Sequence, residues 1–541
     1  MNKISEKVMA MIETASMDTE YTKASIDTLS EVSKNLLDVT KGFKSKLQGS
    51  NTIELKIRTY INGAPSSFDP AMAFDQQSGK IFANNHAGLL IQGMSTDILP
   101  GVAKSWYVEE DNVTWIFNLR KGAKFHNGRE ITADDVKYSL ERILTPSLNS
   151  PNAWFLSLIY GADDFQKGKT REVLGIKVLD KYRVSIKLTS PYTGFLLNLA
   201  QSCCSIMAKE EVAKGNFVGC GPFYIEKTGE NECVLAAFKE YFGGSPYVDK
   251  VEIVYQDENA ATNFIEGRYD FIIIDNMSAM KNIKESKYAN KVRMENVMTT
   301  SYAGFNLRGN SVYARNKEVR KAINYAIDRK YIINEILGGM AVESKGPFPP
   351  SIVDNSYLPG FSYNPQKAKE ILRKAVSGKL DKLVILAREG SVNTTNDKIT
   401  DCIVKNLKEI GIDCVIVKVP SNKYLSPESI SKCDIFISGW VADTGDADNY
   451  LEPLFNPDNY TNFTGYNNPE VLELMKQARE MLNPEKRLEL YKRIQNIIVD
   501  DAPWLFLHHP QSGVISRDGI AGVRMNSLGK IKYDDIFIEK I

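Results

Sequence analysis

The chain has 541 residues, too many for one hydrophobic core, and its 43% apolar and 25% charged composition is that of ordinary globular domains, so two or three are expected. Its 67 basic and 67 acidic side chains cancel, which argues against broad attraction to nucleic acid or an anionic membrane surface. Seven cysteines without a C-x-x-C pair, and four histidines (His86, His126, His508, His509) without ligand spacing, argue against a disulfide framework and a zinc site. No metal or cofactor is expected.

Residues 1–48 read as a segment of their own. Proline is absent and glycine first occurs at Gly42, while Val8, Ile12, Ala15, Ile26, Leu29, Leu36, Phe43 and Leu47 recur at helical spacing on a polar background. That predicts a long amphipathic, coiled-coil-like helix that pairs with itself or with a partner. The stretch ASIDTLSEVSKNLLDVTKGFKSKL resembles the C-terminal end of the chemoreceptor signalling domain, which implies a signalling partner and a helix-mediated dimer. No basic start with an apolar core and no run of about 18 apolar residues occurs, so the sequence as written is expected to be cytoplasmic, without signal peptide or membrane span.

After Gln48-Gly49-Ser50, the alternation from Ile53 to Arg58 predicts a half-buried strand. A loop from Asn62 to Pro70 follows, then a hairpin-like stretch with a strand from Thr114 to Arg120. Thr132 before Ala133-Asp134-Asp135-Val136 predicts a helix start, with Val136, Leu140 and Ile143 on one face. Further on, Val319, Ala322, Ile323, Ala326 and Ile327 share a helical face, and Asn364-Pro365, Asn468-Pro469 and Asn483-Pro484 each place an Asn cap before a first-turn proline. Asp401 to Ile410 reads as helix, Ile412 to Val419 as strand, and the apolar run Cys433 to Ser438 as a buried strand that ends where a Gly-rich acidic loop, Gly439 to Tyr450, begins. Strands and helices alternate, so the fold class is α/β.

Gly101 to Leu144 (GVAKSWYVEEDNVTWIFNLRKGAKFHNGREITADDVKYSLERIL) resembles the signature region of the solute-binding proteins that serve peptide and nickel ABC transporters. The turn from Val218 to Tyr224, the segment from Ala260 to Asp270, and Phe305-Asn306 followed by the helix from Glu318 to Asp328 keep the resemblance in order. It implies a two-lobe periplasmic-binding-protein-like fold with an extra subdomain. Lobe I would hold residues 51–300, the subdomain about 88–214, lobe II 301–507, and 508–541 would return to lobe I. Two lobes closing on a ligand at a hinge, an extracytoplasmic location and an ABC permease as partner are the family's defaults.

Gly439-Trp440-Val441-Ala442-Asp443-Thr444 resembles the family's G-W-x-x-D loop, whose aspartate meets a peptide's α-ammonium group. The matching residue is Asp443, with Gly439, Trp440, Ala442 and Thr444 around it; a carboxylate is needed because an amine leaving water must meet an ionised acceptor. Arg388 is a weaker candidate for a peptide carboxylate, and Ser66 and Ser67 are weaker candidates from the loop of lobe I. Asp446 and Asp448 are expected to cap the following turn. No nucleophile elbow, Walker A loop or G-x-G-x-x-G occurs, so catalysis is not expected. Three functions follow: capture of a small peptide for ABC transport, ligand sensing coupled through the N-terminal helix, or a ligand-gated interaction or chaperone-like role that keeps the fold without transport. Nickel chelates, sugars and opines are alternative ligands in related proteins.

Overall fold

The computed structural model describes residues 54–94, 97–390 and 394–539, so the helix expected over residues 1–48 lies outside the described residues. The chain divides into two compact units. Of the described residues, one holds those up to Ile272 together with Ser516–Met525 and those from Lys530; the other holds those of Ile273–Ile515 and Asn526–Gly529.

The first unit contains two four-stranded sheets. In one, Lys56–Ile61 pairs in parallel with Lys250–Tyr255, and Glu232–Ala237 and Phe223–Thr228 continue it antiparallel. The second sheet is all antiparallel, in the order Ala103–Val108, Thr114–Leu119, Arg183–Lys187, Ile176–Asp180. The helix Ala133–Leu144 starts as its residues dictate: the Asp135 carboxylate accepts the Thr132 N–H at 2.9 Å and its hydroxyl at 3.0 Å. Val136, Leu140 and Ile143 are buried, as their spacing requires.

The second unit is a helix-covered mixed sheet. Its main strands are β1 (Thr299–Phe305), β2 (Leu383–Arg388), β3 (Cys414–Val419), β4 (Ile435–Val441) and β5 (Trp504–Ser516), in the spatial order β5-β1-β4-β2-β3. Strands β2, β3 and β4 are parallel, and β1 runs antiparallel to both β4 and β5. Period-two alternation sends Ile435, Ile437, Ala303 and Phe305 into one core, against α1 (Lys317–Ala326) and α2 (Thr395–Glu409). It sends Phe436, Tyr302, Trp504 and Phe506 into a second core on the other face, against α3 (Asp448–Phe455), α4 (Pro469–Glu480) and α5 (Pro484–Asp501). The two proline-led helices α4 and α5 are capped by Asn468 and Asn483, whose side chains accept the N–H groups of Glu470 and Lys486, both at 3.0 Å.

One boundary differs from the sequence reading in a way that matters for function. The apolar run does not end at Ser438: β4 continues to Val441, with Gly439, Trp440 and Val441 in register opposite Ser301, Thr300 and Thr299. Glycine is a turn signal by composition, but here the antiparallel ladder with β1 carries the strand through it. A Cβ at Gly439 would lie 2.9 Å from the Thr300 carbonyl, so the close approach of β1 itself favours glycine.

Candidate functional site

The extended backbone of β4 decides which way each residue of the loop points. From Gly439 to Asp443 exposure alternates: Gly439, Val441 and Asp443 are exposed, Ala442 is buried and Trp440 half-buried. Gly439 and Val441 therefore share one face of the strand, with Ser301 and Thr299 directly opposite on β1, and Asp443, two residues past the strand's end, is exposed as they are. Trp440 and Ala442 point to the other face, into the core that also holds Phe436 and Tyr450. The Trp440 indole N–H donates to the Asn449 carbonyl at 2.8 Å, and the ring packs against the core behind Gly439 and Val441.

The edge of β4 is open at the same place. Its pairing with β2 ends at Leu386 opposite Phe436, and the next outward N–H, that of Ile437, donates to the Tyr424 hydroxyl at 3.0 Å. The Ala442 N–H turns the other way and donates to the Met298 carbonyl at 2.9 Å. By strand alternation the main-chain groups of Gly439 and Val441 face the edge that β2 has left, where no described strand pairs with them.

Three carboxylates follow within six residues, and their surroundings separate them. Asp446 is locked: the Arg487 guanidinium donates at 2.7 and 3.1 Å, Tyr491 Oη at 2.9 Å, and the Asp448 N–H at 2.8 Å. Asp448 receives Arg479 Nε at 2.9 and 3.0 Å and Nη2 at 2.9 Å. Burial, first, raises the Asp448 carboxyl above the usual carboxylate range, and Arg479 opposes it. Asp443, by contrast, has no ion-pair partner among the described residues. Partial withdrawal from water raises its carboxyl, with the Asn449 side chain pulling it down. Thr444 is buried and accepts the Asp446 N–H at 3.3 Å, so its side chain belongs to the loop's own framework.

The weaker candidates fall elsewhere. Arg388 ends β2 with its guanidinium 3.9 Å from the Tyr424 ring centroid, and Tyr424 belongs to the core behind Trp440. Ser66 and Ser67 lie in the first unit: Ser66 Oγ donates to Asp75, and Ser67 Oγ accepts the Asp69 N–H at 3.0 Å. Val441, Thr299 and Ser301 were not singled out by the sequence. Counting alternate residues onward from Ile437 finds Val441, whereas its β1 neighbours need the register.

The fold is that of the two-lobe α/β binding proteins. The chain matches a periplasmic murein tripeptide-binding protein in its unliganded open form with a TM-score of 0.82 at 23% identity, covering 90% of this chain and 97% of that one. It matches an ABC transporter-associated periplasmic binding protein from Helicobacter pylori, solved with the peptide STSA, with a TM-score of 0.67 at 26% identity, covering 90% and 98%. Residues 97–462 match the model for bacterial extracellular solute-binding proteins, family 5 Middle, and the chain belongs to that family. Among curated relatives, it is 28% identical over 475 residues to heme-binding protein A of Haemophilus influenzae, covering 82% of this chain and 85% of the relative. It is 25% identical over 521 residues to the dipeptide-binding protein of Escherichia coli, covering 90% and 96%.

Proposed function

We propose that the chain captures a short peptide by its amino end on the Gly439–Val441–Asp443 face and delivers it to an ABC permease. The observation that carries this reading is the one carboxylate of the loop without a cation among the described residues, exposed beside a strand edge that no described strand pairs. Asp443 supplies the acceptor for an α-ammonium group, whose transfer from water is favourable only against an ionised, hydrogen-bonding partner. The Gly439 and Val441 main chain supplies hydrogen bonds for an extended ligand backbone, and Gly439 keeps that approach free of a side chain. Val441, 51% exposed, offers an apolar contact. Trp440, Ala442 and Thr444 hold this surface from behind, and Arg388 remains a carboxylate partner of second rank because its guanidinium already stacks on Tyr424.

The relatives named for dipeptides and di- or tripeptides support this choice of ligand. Coupling to a signalling partner and a helix-mediated dimer rest on residues 1–48 alone, and the relatives favour transport. Calorimetric titration of Ala-Ala and N-acetyl-Ala-Ala tests the reading: the free amine should bind and the acetylated form should bind far more weakly. Equal affinity sinks the role of Asp443. Haem titrated into the same protein, followed by its visible absorption, separates a peptide site from the ligand named for the Haemophilus influenzae relative.

A further inference from the structure

We propose that Asn449 is the positioning residue of the ligand-binding carboxylate, a single residue that fixes the Asp443 main chain by its carboxamide and the Trp440 ring by its carbonyl. The proposal rests on the assignment of Asp443 to an α-ammonium group.

Asn449 is the second residue of α3 and stands six residues beyond Asp443, on the far side of the loop. Its Oδ1 accepts the Asp443 N–H at 2.8 Å, and its carbonyl accepts the Trp440 indole N–H at 2.8 Å. The Asn449 side chain is also the one polar influence that pulls the Asp443 carboxyl down, against burial, which raises it. One residue therefore closes the loop at both of its functional points. It sets where the carboxylate stands, and it favours the ionised form.

The neighbouring titratable groups do not share the task. Asp446 faces Arg487 and Tyr491 of α5. Asp448 and Glu452 face Arg479 of α4. None of these groups is among the causes of the Asp443 shift, which are burial and Asn449. The two arginine pairs anchor the start of α3, and Asn449 transmits that anchorage to Asp443. A purely structural asparagine would close the turn without reaching the carboxylate.

The test uses the full chain with Asn449→Ala, and with Asn449→Ser as a second variant that keeps a short oxygen at this helix position. Two quantities are read: the titration of the Asp443 carboxyl carbon by NMR in the ligand-free protein, and the affinity for Ala-Ala and N-acetyl-Ala-Ala across pH. The Asp443 carboxyl should titrate at higher pH in the variants. Affinity for Ala-Ala should fall about tenfold at neutral pH, about what one lost hydrogen bond costs, and further as the pH drops. Affinity for the acetylated peptide should not move. An unmoved Asp443 titration in a folded variant overturns the role of Asn449 and leaves the peptide reading standing. A shifted titration with free and acetylated peptides bound alike by the wild type overturns the peptide reading, and with it the ligand role of Asn449.

Discussion

The Gly63–Asp69 turn of the first unit and the Gly439–Tyr450 stretch of the second carry similar equipment: small residues, hydroxyls and carboxylates. They differ in how much of it the fold uses up. In the first, Ser66 is bonded to Asp75, which also caps the helix Gln76–Asn85 through the Ser78 N–H at 2.8 Å, and Asp69 is paired with Arg142 at 2.8 Å. Burial raises the Asp75 carboxyl, but the Ser66 and Ser78 hydroxyls outweigh it and leave the net shift downward. In the second, two carboxylates are used in the same manner and the third, Asp443, is not. A polar loop becomes a binding site by what its neighbours leave free, and counting polar residues does not reveal that.

The sharpest way to break this contrast is to free a second carboxylate. Arg487→Ala leaves Asp446 buried without its cation and should cost about 3–5 kcal/mol in urea unfolding, because an uncompensated buried charge is far costlier than a missing pair. A loss below about 1 kcal/mol would mean that Asp446 is not held as described. Replacing both partners, Asp446→Leu with Arg487→Met, should recover most of that stability.

Acid should act on the scaffold as well as on the site. Burial lowers His86 and His509 to about 3, and His126 and His508 to about 4, against about 6.5 when unfolded. Each is held neutral in the folded chain, so its contribution is complete above about pH 6.5 and is lost as the pH falls toward the folded value. Unfolding free energy should drop by about 3 kcal/mol per histidine between about pH 6.5 and 4. His508→Phe should flatten that slope, and an unchanged slope would contradict the burial of this ring.

Smaller effects test the two loops separately. Gly439→Ala places a methyl 2.9 Å from the Thr300 carbonyl and should cost about 1–3 kcal/mol in stability as well as weakening ligand binding. Ser66→Ala should cost about 1 kcal/mol of stability, through its bond to Asp75, with ligand affinity almost unchanged. A large affinity loss from Ser66→Ala at unchanged stability would make the first loop a ligand contact after all.

Much of this was legible in the sequence because it is local. The Asn-Pro helix starts, the buried stripe of α1 and the Thr132–Asp135 cap all depend on residues within a turn of each other. The G-W-x-x-D resemblance singled out Asp443. What the sequence did not show depends on partners far along the chain. Arg479 and Arg487 stand 31 and 41 residues beyond the aspartates they hold, on helices whose exposed charges look alike in sequence. That Trp440 turns into the core while Gly439 and Val441 lie on the exposed face follows only once β4 is known to run on past Gly439.

The role of Asp443 in binding an ammonium group rests on its having no neutralising cation among the described residues. Its most direct test is the affinity of Ala-Ala and N-acetyl-Ala-Ala for the wild type and for Asp443→Asn at neutral pH, with thermal melts alongside. Substitution should cost the free dipeptide about 2–5 kcal/mol and abolish the wild-type preference for the free amine, with stability unchanged or slightly raised. Equal binding of both peptides by the wild type, or undiminished binding of the free dipeptide by Asp443→Asn, would contradict it.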